Sequence, residues 1–250
     1  MPSREPAELL PWDSDFFGLR IARVRLRQLG PHDVSNVAAW CRRQRVDCAY
    51  FLASGRDPAT SRRAQDAGYR MVGVRASLST DLRPQPRRRS PKGVRPPDPM
   101  DIEPIAALAR SAFHDSRFYR DGNFERQRCD ALYETWVRKS CAGWAQAVFL
   151  TGRRGTPDGF VTCHLDPGMV GRIGLIAIEP RARGAGVGSQ LLETALQWFA
   201  EREAIRAAVV TQGGNVDAIR LYERLGFRID SLDFWYHFWP RGQRTPRRST

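Results

Sequence analysis

The sequence predicts an α/β chain in two parts: a small α/β layer, then a larger α+β domain on a mixed central sheet. Three observations carry this. Segments with the two-residue period of strands alternate with amphipathic helical segments along the chain. Residues 83–99 interrupt that alternation with a run rich in proline and arginine, the composition of an extended linker. An apolar strand at 173–178 runs into a glycine-rich turn and then a helix, an order that builds an anion cradle from backbone N–H groups and a helix start.

The first part, residues 1–82, reads as a strand at 17–29, a helix at 33–45, a strand at 48–53, a helix at 58–67 and a strand at 69–81. Arg20, Ala22, Val24 and Leu26 alternate with Ile21, Arg23 and Arg25, the period of a half-exposed strand. Gly68 stops the second helix. This part has no glycine cradle, so its expected role is to dock on the second part and wall a substrate cleft. Trp12, Phe16 and Phe17 read as the packing seam.

The second part, residues 100–240, begins with a helix at 101–113, for which Asp101 is the expected N-cap. A polar loop and a helix at 125–140 follow. Strands are expected at 146–152, 159–164 and 172–178, then a helix at 190–200. A strand from 207 ends in a polar turn, and Asn215 sits where an N-cap belongs for a helix at 216–225, closed by Gly226. The aromatic strand 233–239 completes the domain, and residues 241–250 read as a basic, disordered tail.

Composition narrows the function classes. Hydrophobic residues make up 42% of the 250, ample for a core. No apolar run approaches ~18 residues, and the first residues lack a signal-peptide core, so a cytoplasmic protein is expected, with no membrane partner. The five cysteines, at 41, 48, 129, 141 and 163, are scattered and read as reduced, with no metal site. The net charge is +13, and every basic residue except Lys92 and Lys139 is arginine. Apart from Arg87 to Arg89 and the tail from Arg241, these arginines form no stripe, so nucleic acid is not the expected partner, although a polyanionic small molecule would be attracted.

Three phosphate-binding patterns compete for the turn at 181–189. A P-loop needs Gly-Lys-Ser/Thr, and no lysine stands here. A dinucleotide fingerprint needs G-x-G-x-x-G, and the spacing of Gly184, Gly186 and Gly188 does not supply it. The remaining pattern, Arg181-x-x-Gly184-x-Gly186 after an apolar strand and Pro180, resembles the acetyl-coenzyme A signature of the GNAT superfamily of N-acetyltransferases. Asn215, Ala218, Leu221, Tyr222, Gly226 and Phe227 resemble its second motif. The resemblance implies a GNAT fold in the second part, preceded by a truncated GNAT-like domain.

The same resemblance implies acetyl-CoA as cosubstrate, held by the backbone of Ile176, Ala177 and Ile178, by the turn Arg181, Arg183, Gly184, Ala185, Gly186, Val187, Gly188 and Ser189, and by Asn215 and Tyr222. It makes Tyr222 the general acid. The chemistry agrees: acetyl transfer needs a neutral amine, a donor for the oxyanion and a proton for the departing thiolate, and a phenol supplies the last. The base stays open among Glu179, His164, His237 and a water relay.

Residues 10–18, 112–121, 132–140 and 211–215, with the aromatic last strand, resemble the dTDP-fucosamine acetyltransferase group of that superfamily. This implies a nucleotide-linked amino sugar as acceptor, of the dTDP-4-amino-4,6-dideoxyhexose type. Arg117, Phe118 and Asp121 are then the expected acceptor contacts, with Arg117 able to meet a diphosphate bidentately. Another amine, a non-catalytic acyl-CoA binder and a homodimer stay open.

Overall fold

The computed structural model describes residues 5–82 and 93–242; most of the expected linker and tail lies outside them. In chain order the elements are β1 (Ala7–Leu9), α1 (Pro11–Phe17), β2 (Ile21–Val24), α2 (Asp33–Arg43), β3 (Cys48–Ser54), α3 (Pro58–Asp66), β4 (Arg70–Asp81), α4 (Ile102–Ala112), α5 (Arg117–Asp121), α6 (Arg126–Lys139), β5 (Ala147–Arg153), β6 (Thr156–Asp166), β7 (Val170–Ile178), α7 (Val187–Ala200), β8 (Arg206–Gln212), α8 (Val216–Arg224) and β9 (Arg228–Phe238). Parallel and antiparallel pairs coexist, so the fold is mixed α/β. Contacts divide the described residues into two units: those within 5–75, 115–129 and 231–242, and those within 76–82, 93–114 and 130–230. The division does not fall at 83–99, and the segment 115–129 belongs with the N-terminal residues.

In the first unit β1 pairs antiparallel with β2, β2 parallel with β3, and β3 antiparallel with β9, from Ala49↔Phe238 to Ser54↔Asp233. All of β3 but its last residue is buried, as expected for a strand covered on both faces. One face carries Val37, Trp40 and Cys41 of α2 against Ala22, Ala49, Phe51 and Tyr236. On the other, Phe17 stacks on Phe118 at 5.3 Å and meets Phe124 at 4.7 Å between centroids.

The strand expected at 17–29 is only Ile21–Val24, and a helix precedes it. Pro11 starts that helix with its φ already set. The Ser14 hydroxyl donates to the Leu10 carbonyl at 2.7 Å and accepts from Ile21 N–H at 3.0 Å, tying helix to strand. Gly18, at φ 64°, ends the helix in the left-handed region. Trp12 and Phe16 stack within this helix at 5.1 Å, and Phe17 packs inside the first unit.

From Ala76 of β4 onward, the second unit holds the order β4–β8–β7–β6–β5, with β5, β6 and β7 antiparallel and β7 parallel to β8. Leu191, Leu192, Ala195 and Phe199 of α7 cover Val161, Cys163, Ile173 and Val209, and α4 also packs on β6 and β7. Asp101 precedes α4 but does not cap it. Its buried carboxylate instead binds both terminal nitrogens of Arg95, at 2.5 and 2.9 Å, and accepts from the Asp98 and Gly155 amides. Those bonds, chiefly with Arg95, hold it well below the usual carboxylate range. The Asn215 cap forms as expected, its oxygen accepting from Ala218 N–H at 3.1 Å.

The seat of α7 on β7 depends on Gly171. A Cβ there would stand 2.3 Å from Cγ of the Phe199 ring. Gly171→Ala therefore destabilises the chain by about 1–3 kcal/mol through overpacking, read as a lower urea midpoint at unchanged slope. An unchanged midpoint would show that Phe199 moves without cost.

Candidate functional site

The two strands at the centre of the second unit part company where the glycine turn needs room. Pairing of β7 with β8 runs from Val170↔Arg206 to Ile173↔Val209 and ends there, although β7 continues to Ile178 and β8 to Gln212. On the other side of β7 the register with β6 slips: Cys163 faces Ile173, whereas Val161 faces Ile176. Gly174 and Leu175 thus stand opposite the single residue Thr162, a β-bulge. The Thr162 hydroxyl accepts from Leu175 N–H at 2.8 Å and satisfies the amide that the bulge displaces. Ile176, Ala177 and Ile178 follow, on a stretch of β7 whose β8-facing edge has no ladder partner in that register.

Beyond Ile178 the chain makes a short turn at Pro180–Ala182 and reaches Gly184 and Gly186, at φ 78° and 81°. A side chain would strain the backbone at either position. A Cβ built on either meets nothing within 4 Å, so the turn opens onto free space. Gly186 is the N-cap of the 14-residue helix α7 and brings no side-chain cap. The amides of Val187, Gly188 and Ser189 therefore have no partner inside the helix, and the helix start adds partial positive charge. This arrangement fits a diphosphate. Gly188 lets the parts meet: a Cβ there would lie 2.9 Å from Leu221 and 3.3 Å from Ile178.

Tyr222 is on α8, 2% exposed, in the same cluster as Val187, Ile176 and Ile178. Burial raises its hydroxyl pKa well above the usual tyrosine value, so it is a proton donor at neutral pH. The Arg181 guanidinium is paired with Asp158 at 2.6 Å and reaches the Pro157 carbonyl at 3.3 Å. Arg183 is exposed and contacts the Ile178 carbonyl at 3.4 Å. Ile176, Ile178, Val187 and Tyr222 thus meet in one cluster, and Asn215 stands at the start of α8.

The expected acceptor residues lie in the first unit, where a buried chain of polar groups joins three of its segments. Asp121, at the end of α5, is 0% exposed, as is His237 of β9. His237 Nδ1 donates to Asp121, and Arg117 donates to His237 Nε2 at 2.8 Å. Asn123 and Trp239 also donate to the Asp121 carboxylate, at 2.5 and 3.1 Å. Burial works to raise the Asp121 carboxyl, and the hydrogen bonds from His237, Asn123 and Trp239 outweigh it and lower it. Burial, with the Arg117 and Arg70 cations, pulls His237 down to about 4 against Asp121.

Arg117 itself is half-buried in a cage of rings, its guanidinium carbon 4.0 Å from the Tyr50 centroid, 4.2 Å from Phe118 and 4.4 Å from Trp235. Phe118 and Asp121 are buried; they hold Arg117 in place rather than line a surface. The Tyr50 hydroxyl, also buried, has no hydrogen-bond partner among the described residues. Cys48, Asp121 and His237 offer ligand atoms within 4.8 Å of one another. The Arg117 guanidinium on Nε2 opposes a second cation there. No local sequence pattern links these groups, because Asp121 and His237 are 116 residues apart. No helix among the described residues is long and apolar enough to cross a membrane.

Comparison with known proteins finds relatives among acetyltransferases. Residues 107–227 match the model of the acetyltransferase (GNAT) family. The chain is 28% identical over 240 residues to dTDP-fucosamine acetyltransferase of Escherichia coli O6:H1, covering 95% of this chain and 100% of that protein. It is 30% identical over 152 residues to the spore coat polysaccharide biosynthesis protein SpsD of Bacillus subtilis, covering 58% of this chain and only 50% of SpsD. Among solved structures it resembles a GCN5-related N-acetyltransferase from Sphaerobacter thermophilus, with a TM-score of 0.64, 18% identity and coverage of 95% and 77%.

The buried histidine gives the first unit a pH dependence with a definite sign. The folded pKa of His237, about 4, lies below that of an unfolded histidine, roughly 6.5. The unfolded chain therefore takes up the proton first as pH falls, and stability present above about 6.5 is lost toward 4. That loss is worth roughly 3 kcal/mol at about 1.4 kcal/mol per pKa unit. The lowered Asp121 adds its own loss as the pH falls through the ordinary carboxylate range and on toward its lower folded value. Thermal melts between these pH values should show the decline, and His237→Gln should flatten it while lowering stability at neutral pH. A variant curve parallel to the parent's would contradict the assignment.

Proposed function

We propose that this chain, which carries an acetyltransferase domain of the GNAT family, transfers acetyl from acetyl-CoA to the amine of a nucleotide-linked amino sugar. The observation that carries the reading is the parting of β7 from β8 just before the glycine turn. It leaves a strand edge and a helix start in line, as an extended pantetheine arm ending in a diphosphate requires. In this reading Ile176, Ala177 and Ile178 offer main-chain groups to the pantetheine. The amides from Gly184 through Ala185 and Gly186 to Ser189 take the diphosphate. Arg181 and Arg183 add positive charge, and Asn215 caps α8 beside the arm.

Bound there, acetyl-CoA supplies the activated acyl carbon. A main-chain N–H of the freed strand stabilises the oxyanion. Tyr222 gives its proton to the departing sulfur, a role its raised pKa and burial support. The acceptor class rests on the likeness to dTDP-fucosamine acetyltransferase over the length of both chains. Arg117, held from behind by His237, Asp121 and Phe118, is the proposed contact for the nucleotide diphosphate. The unpartnered Tyr50 hydroxyl beside it supports an anionic ligand, since a buried orphan donor is costly unless something fills its place. A cytoplasmic setting accompanies this reading.

A thiol-release assay with acetyl-CoA tests it. Turnover is expected with dTDP-4-amino-4,6-dideoxygalactose and not with peptide amines; the reverse would transfer the chain to another acceptor class. Tyr222→Phe should lower turnover by on the order of 10²-fold or more while acetyl-CoA still binds. Arg117→Ala should raise the acceptor KM by roughly 10-fold or more, the loss of a charged hydrogen bond worth about 1.5–3 kcal/mol. Unchanged turnover in the first, or unchanged KM in the second, removes that residue from the mechanism.

A further inference from the structure

The bulge in β7 has a titratable side chain built into it. Thr162 and His164 are alternate residues of β6 and point to the same face of the strand. Val161 and Cys163 point to the opposite face, into the core under α7. On the Thr162 face, Gly174 leaves a space that its neighbours fill: a Cβ there would stand 2.6 Å from His164 Nε2 and 2.6 Å from Thr162 Oγ1. Gly174 is not in the left-handed region. The glycine is required here by the approach of an imidazole to the bulge, not by backbone conformation.

His164 is 4% exposed, roofed edge-on by the Trp144 ring at 5.3 Å, with Trp144 itself half exposed. A hydrogen bond with the Trp144 backbone orients its ring. The charged groups facing it are Arg172, its partner across β7, and Asp166 farther along β6. These two are bonded to each other at 2.6 and 3.1 Å. Burial and Arg172 lower the His164 pKa, so the ring is neutral near pH 7 and has a lone pair to offer.

We propose that His164 is the general base of the acetyl transfer, its Nε2 taking the proton from the acceptor nitrogen as that nitrogen attacks the thioester at the bulge. The inference rests on the acetyltransferase reading above and adds to it the group that the sequence left open. The balance is simple. The N–C bond forms and the C–S bond breaks; His164 gains the proton that the nitrogen loses, and Tyr222 supplies the proton that the sulfur gains. Solvent then returns one proton from His164 to Tyr222, and no other reactant is consumed.

The test compares the parent, His164→Gln and His164→Ala with acetyl-CoA and dTDP-4-amino-4,6-dideoxygalactose. Calorimetry should find acetyl-CoA affinity little changed in the variants. Both should lose on the order of 10²-fold or more in kcat/KM, with the acidic limb of the pH profile altered and added imidazole restoring part of the rate to His164→Ala. In the unliganded parent, the ring's NMR signals should titrate below the ordinary histidine value and be missing from both variants. Transfer by either variant at the parent's rate would overturn the proposal. So would loss of acetyl-CoA binding together with transfer in both variants, or a slow variant with an unchanged pH profile and no rescue. A parent that binds acetyl-CoA but acetylates no amine overturns the acetyltransferase reading itself, whereas slow variants beside an active parent bear on His164 alone.

Discussion

Every strand inside a sheet has two hydrogen-bonding edges, and buried backbone groups are rarely left unpaired. In the second unit β7 keeps one edge on β6 and releases the other after Ile173. The rest of that unit can be traced to this release. The bulge opposite Thr162 turns the strand, and the Thr162 hydroxyl satisfies the displaced Leu175 amide. Gly174 has no side chain because His164 and Thr162 already occupy the place. Gly184 and Gly186 carry the chain into α7 without a capping side chain, so that the first-turn amides stay open. A free edge and an open helix start in sequence are what an extended, anion-tipped thioester carrier can occupy in place of the lost ladder.

The first unit uses buried polarity in a different way. Burying charge is weak grounds for stability, because desolvation offsets the attraction it gains. The chain from Asp121 through His237 to Arg117 is better understood as an orienting device. Asp121 fixes the tautomer of His237, and the resulting lone pair on Nε2 fixes one arm of the guanidinium. Three aromatic faces hold its plane. An arginine so constrained loses little further entropy when it meets an anion, which is the physical reason to choose it over its many exposed counterparts.

Local chemistry was readable from the residues, and non-local chemistry was not. The glycine turn, the Asn215 cap and Gly226 announce themselves through short-range rules of backbone and capping, and each stands where those rules put it. The helix Pro11–Phe17 carried the same kind of signal in Pro11, Ser14 and Gly18. It was masked by the alternation from Arg20 to Leu26, which extended a short strand too far in both directions. Asp101 looked like a cap, but Arg95 and two backbone amides compete for its carboxylate more strongly. The alliance of residues 115–129 with the N-terminal part could not be read at all, because it rests on contacts such as Phe17 with Phe118 and Asp121 with His237. His164 is visible in the sequence only as a lone histidine on a strand, because its approach to Gly174 depends on the register of β6 with β7.

Backbone amide exchange of the unliganded chain against the chain saturated with acetyl-CoA addresses the central claim most directly, since that claim concerns main-chain groups. Protection should rise at Ile176, Ala177 and Ile178 and across Gly184 to Ser189, while β1 to β3 of the first unit stay as they were. Saturation that leaves both stretches of β7 and the turn exchanging at their unliganded rates, with protection appearing elsewhere, would contradict the account.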